Sequence, residues 1–166
     1  MKVVTVLRRG GDRGNSGILN FQGKREVKVC HYGGVVIAAF ANFYGDCTNS
    51  IVELRALSDG LKLCSSLGFR EFHVNTDSAA TVLCISKRKC GFWKGWYWFQ
   101  EVLELIDSLK PMISFTYREG NRAADYLANL ACELASDSLF HGVTSLPKDL
   151  RWLSCEDASG LPVLRV

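Results

Sequence analysis

The sequence predicts an α/β domain built on a mixed β-sheet, and three observations indicate this fold class. Short segments rich in β-branched and aromatic residues come first and are separated by glycine-rich turns. Segments with apolar residues at helical spacing then alternate with further strand-like segments. A chain of 166 residues is also long enough for one ordinary domain with a sizeable core. We therefore expect the first strands to pair antiparallel and the later ones parallel, with helices on the faces of the sheet.

The predicted elements follow in the order β-β-β-α-β-α-α-β-α. The predicted strands are Val3–Leu7, a poorly defined strand within 18–31, Val35–Tyr44, Glu71–Thr76 and Met112–Tyr117. The predicted helices are Asn49–Leu67, Ser78–Ile85, Phe99–Leu109 and Asn121–Leu134. We expect residues 1–136 to form the domain. Residues 137–166 contain Pro147, Gly160 and Pro162 and are expected to form an irregular tail.

Composition and charge exclude several classes of protein. Hydrophobic residues make up 48% of the chain and charged residues 22%, which excludes a disordered chain, a coiled coil and collagen as global descriptions. The net charge of +3 at pH 7 permits a polyanionic partner but does not require one. No apolar stretch approaches the ~20 residues of a membrane span, so no membrane association is expected.

The seven cysteines indicate the compartment. Their number is odd, and no two of them form a C-x-x-C pair, which excludes a zinc motif and a compact disulfide framework. Free cysteines in apolar segments behave as small hydrophobic residues. We therefore expect a reducing compartment, the cytoplasm or the nucleus.

Three acidic residues, Glu53, Asp77 and Asp125, occupy positions where a site can form. Asp77 follows a predicted strand, and sites in α/β sheets form at the carboxyl ends of parallel strands. Converging carboxylates would suit Mg²⁺ and the hydrolysis of a phosphodiester. Each acid also has a structural explanation: a Ser50-x-x-Glu53 capping box, an Asp77 helix cap, and a favourable charge for Asp125 at a helix start.

A segment from Lys87 to Trp98 combines positive charge with aromatic side chains. Its cations are Lys87, Arg88, Lys89 and Lys94, and its tryptophans are Trp93, Trp96 and Trp98. Cations contact phosphates, and flat aromatic rings stack on bases, so the segment predicts contact with nucleic acid. The alternative is that Trp96 and Trp98 anchor the core while the cations form a solvated rim.

Three motifs resemble ribonuclease H type 1. They are Val52-Glu53-Leu54-Arg55-Ala56-Leu57, Asn75-Thr76-Asp77-Ser78 and the run from Tyr117 to Ala128. The resemblance runs from about Tyr32 to Cys132 and is strongest to the plant reverse-transcriptase-like branch, which occurs in retroelement polyproteins and as short free-standing proteins. It implies a mixed five-stranded sheet with the first three strands antiparallel, and cleavage of the RNA strand of an RNA–DNA hybrid with Mg²⁺ or Mn²⁺.

The resemblance also implies roles for individual residues. Glu53, Asp77 and Asp125 match the second, third and fourth of the family's four catalytic, metal-binding carboxylates. The expected nucleic-acid contacts are Asn15, Arg118 and Asn121 in the matching motifs, together with Lys87, Arg88, Lys89, Trp93 and Lys94. We expect a monomer.

The sequence departs from the family at its beginning. Aligning Gly14-Asn15-Ser16-Gly17 on the family pattern puts Arg9 where the first catalytic Asp belongs, and Asp12 comes three residues later. Phe115 stands where the family has a histidine, and residues 1–31 match poorly overall. We therefore expect weak metal binding and weakened hybrid cleavage. The alternative is an inactive nucleic-acid-binding module or a retroelement remnant.

Overall fold

The fold is a six-stranded mixed sheet with helices on both faces. The computed structural model describes residues 3–8, 24–30, 36–45, 47–91, 93–116, 126, 130 and 136–152. The strands are β1 (Val3–Arg8), β2 (Lys24–Cys30), β3 (Val36–Phe43), β4 (His73–Thr76), β5 (Met112–Phe115) and β6 (Ser138–His141). The helices are α1 (Asn49–Ser66), α2 (Ala79–Ser86) and α3 (Trp96–Leu109), with short 3₁₀ turns at Trp93–Gly95 and Val143–Ser145.

The strand pairing agrees with the predicted mixture of directions. The order across the sheet is β5-β4-β1-β2-β3-β6. The first three strands pair antiparallel, as predicted, whereas β4 runs parallel to both β1 and β5. Within these pairs Thr76 lies opposite Val6 on one side and Phe115 on the other. The carboxyl ends of β1, β4 and β5 therefore lie at one end of the sheet.

The predicted number of five strands is wrong, because part of the expected tail joins the sheet. Strand β6 pairs antiparallel with Ala38–Ala41 of β3. Leu146 and Leu150 follow it and are buried with Val36, Ala39 and Ala41. Residues 138–150 therefore pack onto the sheet, and this part of the expected tail is not irregular. The domain boundary at residue 136 stays a prediction.

Two layers cover the sheet, because neighbouring residues of β3 point to opposite faces. Phe40 packs with Val52, Leu57 and Leu61 of α1 on one face. On the other face Ala39 and Ala41 pack against the segment that follows β6, and partly buried Tyr126 and Leu130 join this cluster. Small side chains in this part of β3 let that second layer approach closely.

The remaining differences lie at the ends of elements. Helix α3 begins at Trp96, three residues before the predicted start, and ends at Leu109, where the C-cap Lys110 has a left-handed φ of 51°. Strand β2 includes the charged residues Lys24–Glu26, where the sequence pattern does not predict a strand. The helix predicted over 121–134 lies mostly outside the described residues, but Tyr126 and Leu130 are both helical.

Candidate active site

The start of α1 and the end of β4 lie at the same end of the sheet. Strand β3 runs towards this end, α1 begins there after a short connection, and the chain returns along β4. Glu53 is in the second turn of α1, and Asp77 is the residue after β4. The topology thus brings the elements that carry these two acids to the edge where α/β proteins form their sites.

Among the acids whose burial the structure describes, Glu53 alone is fully buried, with 1% of its surface exposed. The capping-box explanation is wrong, because the N-cap of α1 is Thr48 and Ser50 lies inside the helix. Glutamate is almost never fully buried unless it is paired or holds a metal. Burial therefore singles out Glu53 from the surface acids, as the role of a site carboxylate requires.

Asp77 is half-buried at the carboxyl end of β4. The explanation of Asp77 as a helix cap is wrong, because Ser78 is the N-cap of α2 and its Oγ accepts a bond from the Thr81 backbone N–H at 3.3 Å. The Ser78 backbone N–H in turn donates to Thr76 Oγ1 at 3.2 Å. These bonds fix the turn that carries Asp77 and leave its carboxylate outside the cap.

A polar network ties α1 to the end of β3. The Tyr44 hydroxyl donates to Asp59 Oδ2 at 2.5 Å, and Asn42 Nδ2 donates to the same oxygen at 2.9 Å. Burial, and then the negative charge of Asp59, raise the pKa of Tyr44 above its usual value, so the hydroxyl remains a donor. The network fixes the rotation of α1 and hence the direction of Glu53.

Arg55, two residues after Glu53, adds a second link. Its guanidinium lies 4.4 Å from the centre of the Tyr44 ring and 5.5 Å from the centre of the Trp98 ring. Its Nη1 also donates to the Tyr44 carbonyl oxygen at 3.2 Å. Arg55 thus joins α1 to the segment after β3 and to α3, through cation–π contacts and one hydrogen bond.

The other predicted site residues lie outside the described part of the chain. These are Arg9, Asp12, Asn15, Arg118, Asn121 and Asp125. Strand β1 is described up to Arg8, the residue before Arg9. No group of three or more potential metal ligands occurs within the described residues. The assignment of Glu53, Asp77 and Asp125 as one site therefore stays a prediction.

The residue at the family's histidine position lies on β5, opposite the residue that precedes Asp77. Phe115 ends β5, pairs with Thr76 and is 43% exposed. A phenyl ring has no proton to give or take and no metal-binding atom. Phe115 therefore contributes no acid–base group at this end of the sheet.

The basic and aromatic segment is largely exposed. Trp93 is 81% exposed, with Lys94 Nζ 5.7 Å from its ring centre. Lys87 and Lys89 are also exposed and make no ion pair with a described residue. Trp96 is 52% exposed, so it is not a core anchor, whereas Trp98 is half-buried. Three lysines and two tryptophans, Trp93 and Trp96, are thus open to a partner.

Arg88 differs from the lysines around it. Its guanidinium makes a bidentate pair with Asp107, with distances of 3.0 and 2.5 Å. Hydrogen bonding to Asp107 raises the pKa of Arg88, and the bond from Arg88 lowers the pKa of Asp107. Arg88 is therefore held by a neighbour and is the least available of the four cations.

The sequence-based predictions do not include a second group of cationic and aromatic side chains, in which Lys148 and Trp152 are exposed and Arg151 is half-buried. Lys148, Arg151 and Trp152 belong to a helical stretch over 148–152 that follows Pro147. Proline is common at the first position of a helix, and the spacing i, i+3, i+4 puts the three residues on one face. That pattern is present in the sequence, but the prediction of an irregular tail does not take it into account.

No helix within the described ranges is both long and apolar enough to cross a membrane.

Comparison with known proteins identifies the family. Residues 23–131 match the reverse transcriptase-like family. No match was found among curated proteins. Among solved structures, the amino-terminal RNase H domain of a Mycobacterium tuberculosis protein, determined as a fusion with maltose-binding protein, is 26% identical with a TM-score of 0.65. The match covers 81% of this chain and 96% of that one.

Two further structures support the fold. LC11-RNase H1 in complex with an RNA/DNA hybrid has a TM-score of 0.66 at 22% identity, covering 81% of this chain and 99% of that one. RNase H1 from the halophilic archaeon Halobacterium salinarum has a TM-score of 0.58 at 22% identity, and the match covers 79% of this chain and 98% of that one. The family match spans more than half of the chain. The chain belongs to the reverse transcriptase-like family and has the ribonuclease H-like α/β fold.

Proposed function

We propose that this chain binds RNA–DNA hybrid and cleaves its RNA strand slowly, in a metal-dependent reaction. The observation that carries the proposal is the pair of acids at one end of the sheet. Glu53 is buried on α1, and Asp77 follows β4, in a fold shared with RNases H. A similar protein, LC11-RNase H1, was solved with RNA/DNA hybrid bound.

The donor set fits a hard divalent cation. Glu53 and Asp77 both supply carboxylate oxygens, the ligands that Mg²⁺ and Mn²⁺ prefer. In this proposal Asp125 supplies the third carboxylate. A bound Mg²⁺ would stabilise negative charge on the phosphate oxygens during hydrolysis. In this proposal the turn at Ser78 and the packing of α1 hold the carboxylates in place.

Arg9 is the reason that we propose weak metal binding and slow cleavage. A guanidinium in place of a carboxylate removes one negative charge and adds a positive one, and it can pair with a neighbouring carboxylate such as Asp77. Both effects lower the affinity for a divalent cation. We propose that residual activity depends on the remaining three acids.

Hybrid binding is proposed to use Lys87, Lys89, Trp93 and Lys94, with Asn15, Arg118 and Asn121 from the matching motifs. Exposed lysines neutralise phosphates, and the exposed Trp93 ring offers a flat surface to a sugar or base. We further propose a monomer of the plant retroelement-related branch. The reduced thiols of Cys47, Cys64, Cys84 and Cys90 support a cytoplasmic or nuclear location.

A cleavage assay tests the proposal. RNA labelled at its 5′ end and annealed to DNA is incubated with excess protein and Mn²⁺, so that slow single turnovers are detected. We expect Glu53→Gln to abolish cleavage, whereas Glu104→Gln, an exposed glutamate on α3, leaves it unchanged. Equal cleavage by the two variants would contradict the role of Glu53.

A second candidate is an inactive nucleic-acid-binding module. The charge reversal at Arg9 favours it, because binding needs only the cations and aromatic side chains. The same assay separates the two functions. If wild type retains hybrid in a gel-shift experiment but leaves the RNA intact with both Mg²⁺ and Mn²⁺, the binding module is correct.

A further inference from the structure

A cavity lies on the segment that follows β6, where Leu146 and Leu150 anchor the chain to the sheet. These two leucines are 2% and 1% exposed and pack against β3. The helical stretch over 148–152 therefore has one face on the core. Because Lys148, Arg151 and Trp152 are spaced i, i+3 and i+4, they share the other side.

The cavity between these side chains has a volume of about 520 Å³ and is lined by Val143, Lys148, Arg151 and Trp152. The cavity is shallow and opens widely to solvent, so it suits one unit of a polymer better than an enclosed small molecule. Trp152 is 63% exposed, so its indole is available to a planar ligand. The lining surface is almost entirely apolar, and two of its four lining residues carry a positive charge.

The two cations have no acidic partner within the described part of the chain. No ion pair joins Lys148 or Arg151 to a described carboxylate, and Arg151 Nε is buried without a hydrogen-bond partner there. The acid between them in the chain, Asp149, accepts the Tyr126 hydroxyl at 3.4 Å. Two cations without a described acidic partner favour an anionic ligand.

We propose that this cavity binds one nucleotide unit of a single-stranded nucleic acid. The base stacks on the indole of Trp152, and the phosphate lies between Lys148 and Arg151. Aromatic stacking together with cations along the backbone is how proteins hold single strands without sequence preference. An acidic peptide would satisfy the cations but would leave the indole without a stacking partner.

The cavity is separate from the candidate active site. Glu53 lies on the face of the sheet covered by α1, at the end where β4 finishes. The cavity lies on the opposite face, on the segment that begins where β6 finishes, and β6 runs towards the other end of the sheet. A nucleotide bound in this cavity does not reach the acids of the candidate active site, so binding here goes beyond the proposed cleavage. The cavity would instead anchor a single-stranded extension of the nucleic acid.

Fluorescence anisotropy of a labelled 15-nucleotide oligothymidylate tests the proposal. We expect Trp152→Ala to weaken binding by about tenfold, and Trp152→Phe to retain most of the affinity. Combining Lys148→Gln with Arg151→Gln should reduce the slope of log affinity against log salt by about 1.4, the value for two phosphates on a single strand. The matched control combines Arg70→Gln with Lys110→Gln, two exposed cations elsewhere, and should change neither quantity.

Photo-crosslinking with an oligonucleotide that contains 5-iodouracil locates the binding position. We expect the adduct on the peptide that contains Trp152. An adduct confined to residues 87–98, or equal affinity of wild type and the Lys148/Arg151 double variant, would overturn the proposal. Equal affinity for uridine monophosphate and the oligonucleotide would overturn the assignment to a strand. Hybrid cleavage should be the same in all these variants, so the outcome is independent of the proposed nuclease function.

Discussion

At the scale of single residues, the position of Glu53 depends on how α1 is held. Glu53 lies one turn before Leu57 and on the same stripe as Leu61 and Cys64, which are buried. The helical spacing in the sequence therefore predicts that this acid is buried. The sequence does not predict which residue caps the helix, because Ser50 and Thr48 are both good capping residues. In the structure the N-cap of α1 is Thr48.

Tyr44→Phe tests the network that fixes α1. The substitution removes the donor to Asp59 Oδ2 but keeps the ring that packs under Arg55. Hydrogen bonds to a charged group contribute about 1.5–3 kcal/mol, so we expect the free energy of unfolding to fall by that amount in urea titrations. Tyr97→Phe, on a ring that is 71% exposed, is the control and should change stability by less than about 0.5 kcal/mol. Equal effects would show that the network does not stabilise the fold.

At the scale of elements, strong periodicity is a good guide to the structure and short segments are not. The sequence predicts α1 as Asn49–Leu67 and the helix is Asn49–Ser66, because its apolar stripe persists over five turns. Strand β6 is not predicted, since four residues bounded by Gly142 cannot show alternation. The first turn of α3 is not predicted either, because Trp96 and Tyr97 are exposed there and do not continue the apolar stripe.

Glu101 connects α3 to α1 and should make stability depend on pH. Burial alone would raise its pKa, but the Lys62 ammonium, 2.7 Å away, and the Ser58 hydroxyl hold the pKa below its usual value. A lowered carboxyl pKa stabilises the fold above the unfolded value of about 4.3, and the contribution is lost as the pH falls below it.

We expect Glu101→Gln to lower the free energy of unfolding by about 1 kcal/mol at pH 7. The difference from wild type should close between about pH 5 and pH 3, because the wild-type carboxylate becomes protonated there. Urea titrations at several pH values measure both. Glu104→Gln is the control. A difference that is unchanged at pH 3 would contradict the role of the ionised carboxylate.

The exposed cations between α2 and α3 should control the salt dependence of hybrid binding. Replacing Lys87, Lys89 and Lys94 with Gln should flatten the slope of log affinity against log salt by up to about 0.9 for each phosphate that is no longer neutralised. Arg88→Gln should have the smallest effect of the four, because Asp107 already holds that guanidinium. Filter binding across salt concentrations measures the slopes. An unchanged slope in the triple variant would identify the segment as a solvated rim.

At the scale of the whole molecule, the second layer on the sheet depends on residues that follow the family match. That match ends at residue 131, yet Leu146 and Leu150 cover Val36, Ala39 and Ala41 of β3. The sequence could not reveal this packing, because a contact between residues over a hundred positions apart leaves no local pattern. The small side chains in β3 make sense only once the covering segment is known.

Leu150→Ala measures how much this layer contributes. Truncating a leucine that is 1% exposed commonly costs about 2–5 kcal/mol, so we expect a loss of that size in the free energy of unfolding. Leu139→Ala provides the matched control on β6, because that side chain is 55% exposed and should lose far less. Equal losses would show that residues 146–150 are not part of the core.

The central claim is that the molecule carries a ribonuclease H-like site weakened at Arg9. The direct measurement is the single-turnover rate of hybrid cleavage in Mg²⁺ for wild type, Arg9→Asp and Arg9→Asp combined with Asp77→Asn. Loss of a central electrostatic group commonly costs ~3 kcal/mol in the transition state, so we expect Arg9→Asp to raise the rate about a hundredfold. Asp77→Asn should abolish that gain. Cleavage by wild type as fast as by Arg9→Asp, or a gain that survives Asp77→Asn, would contradict the account.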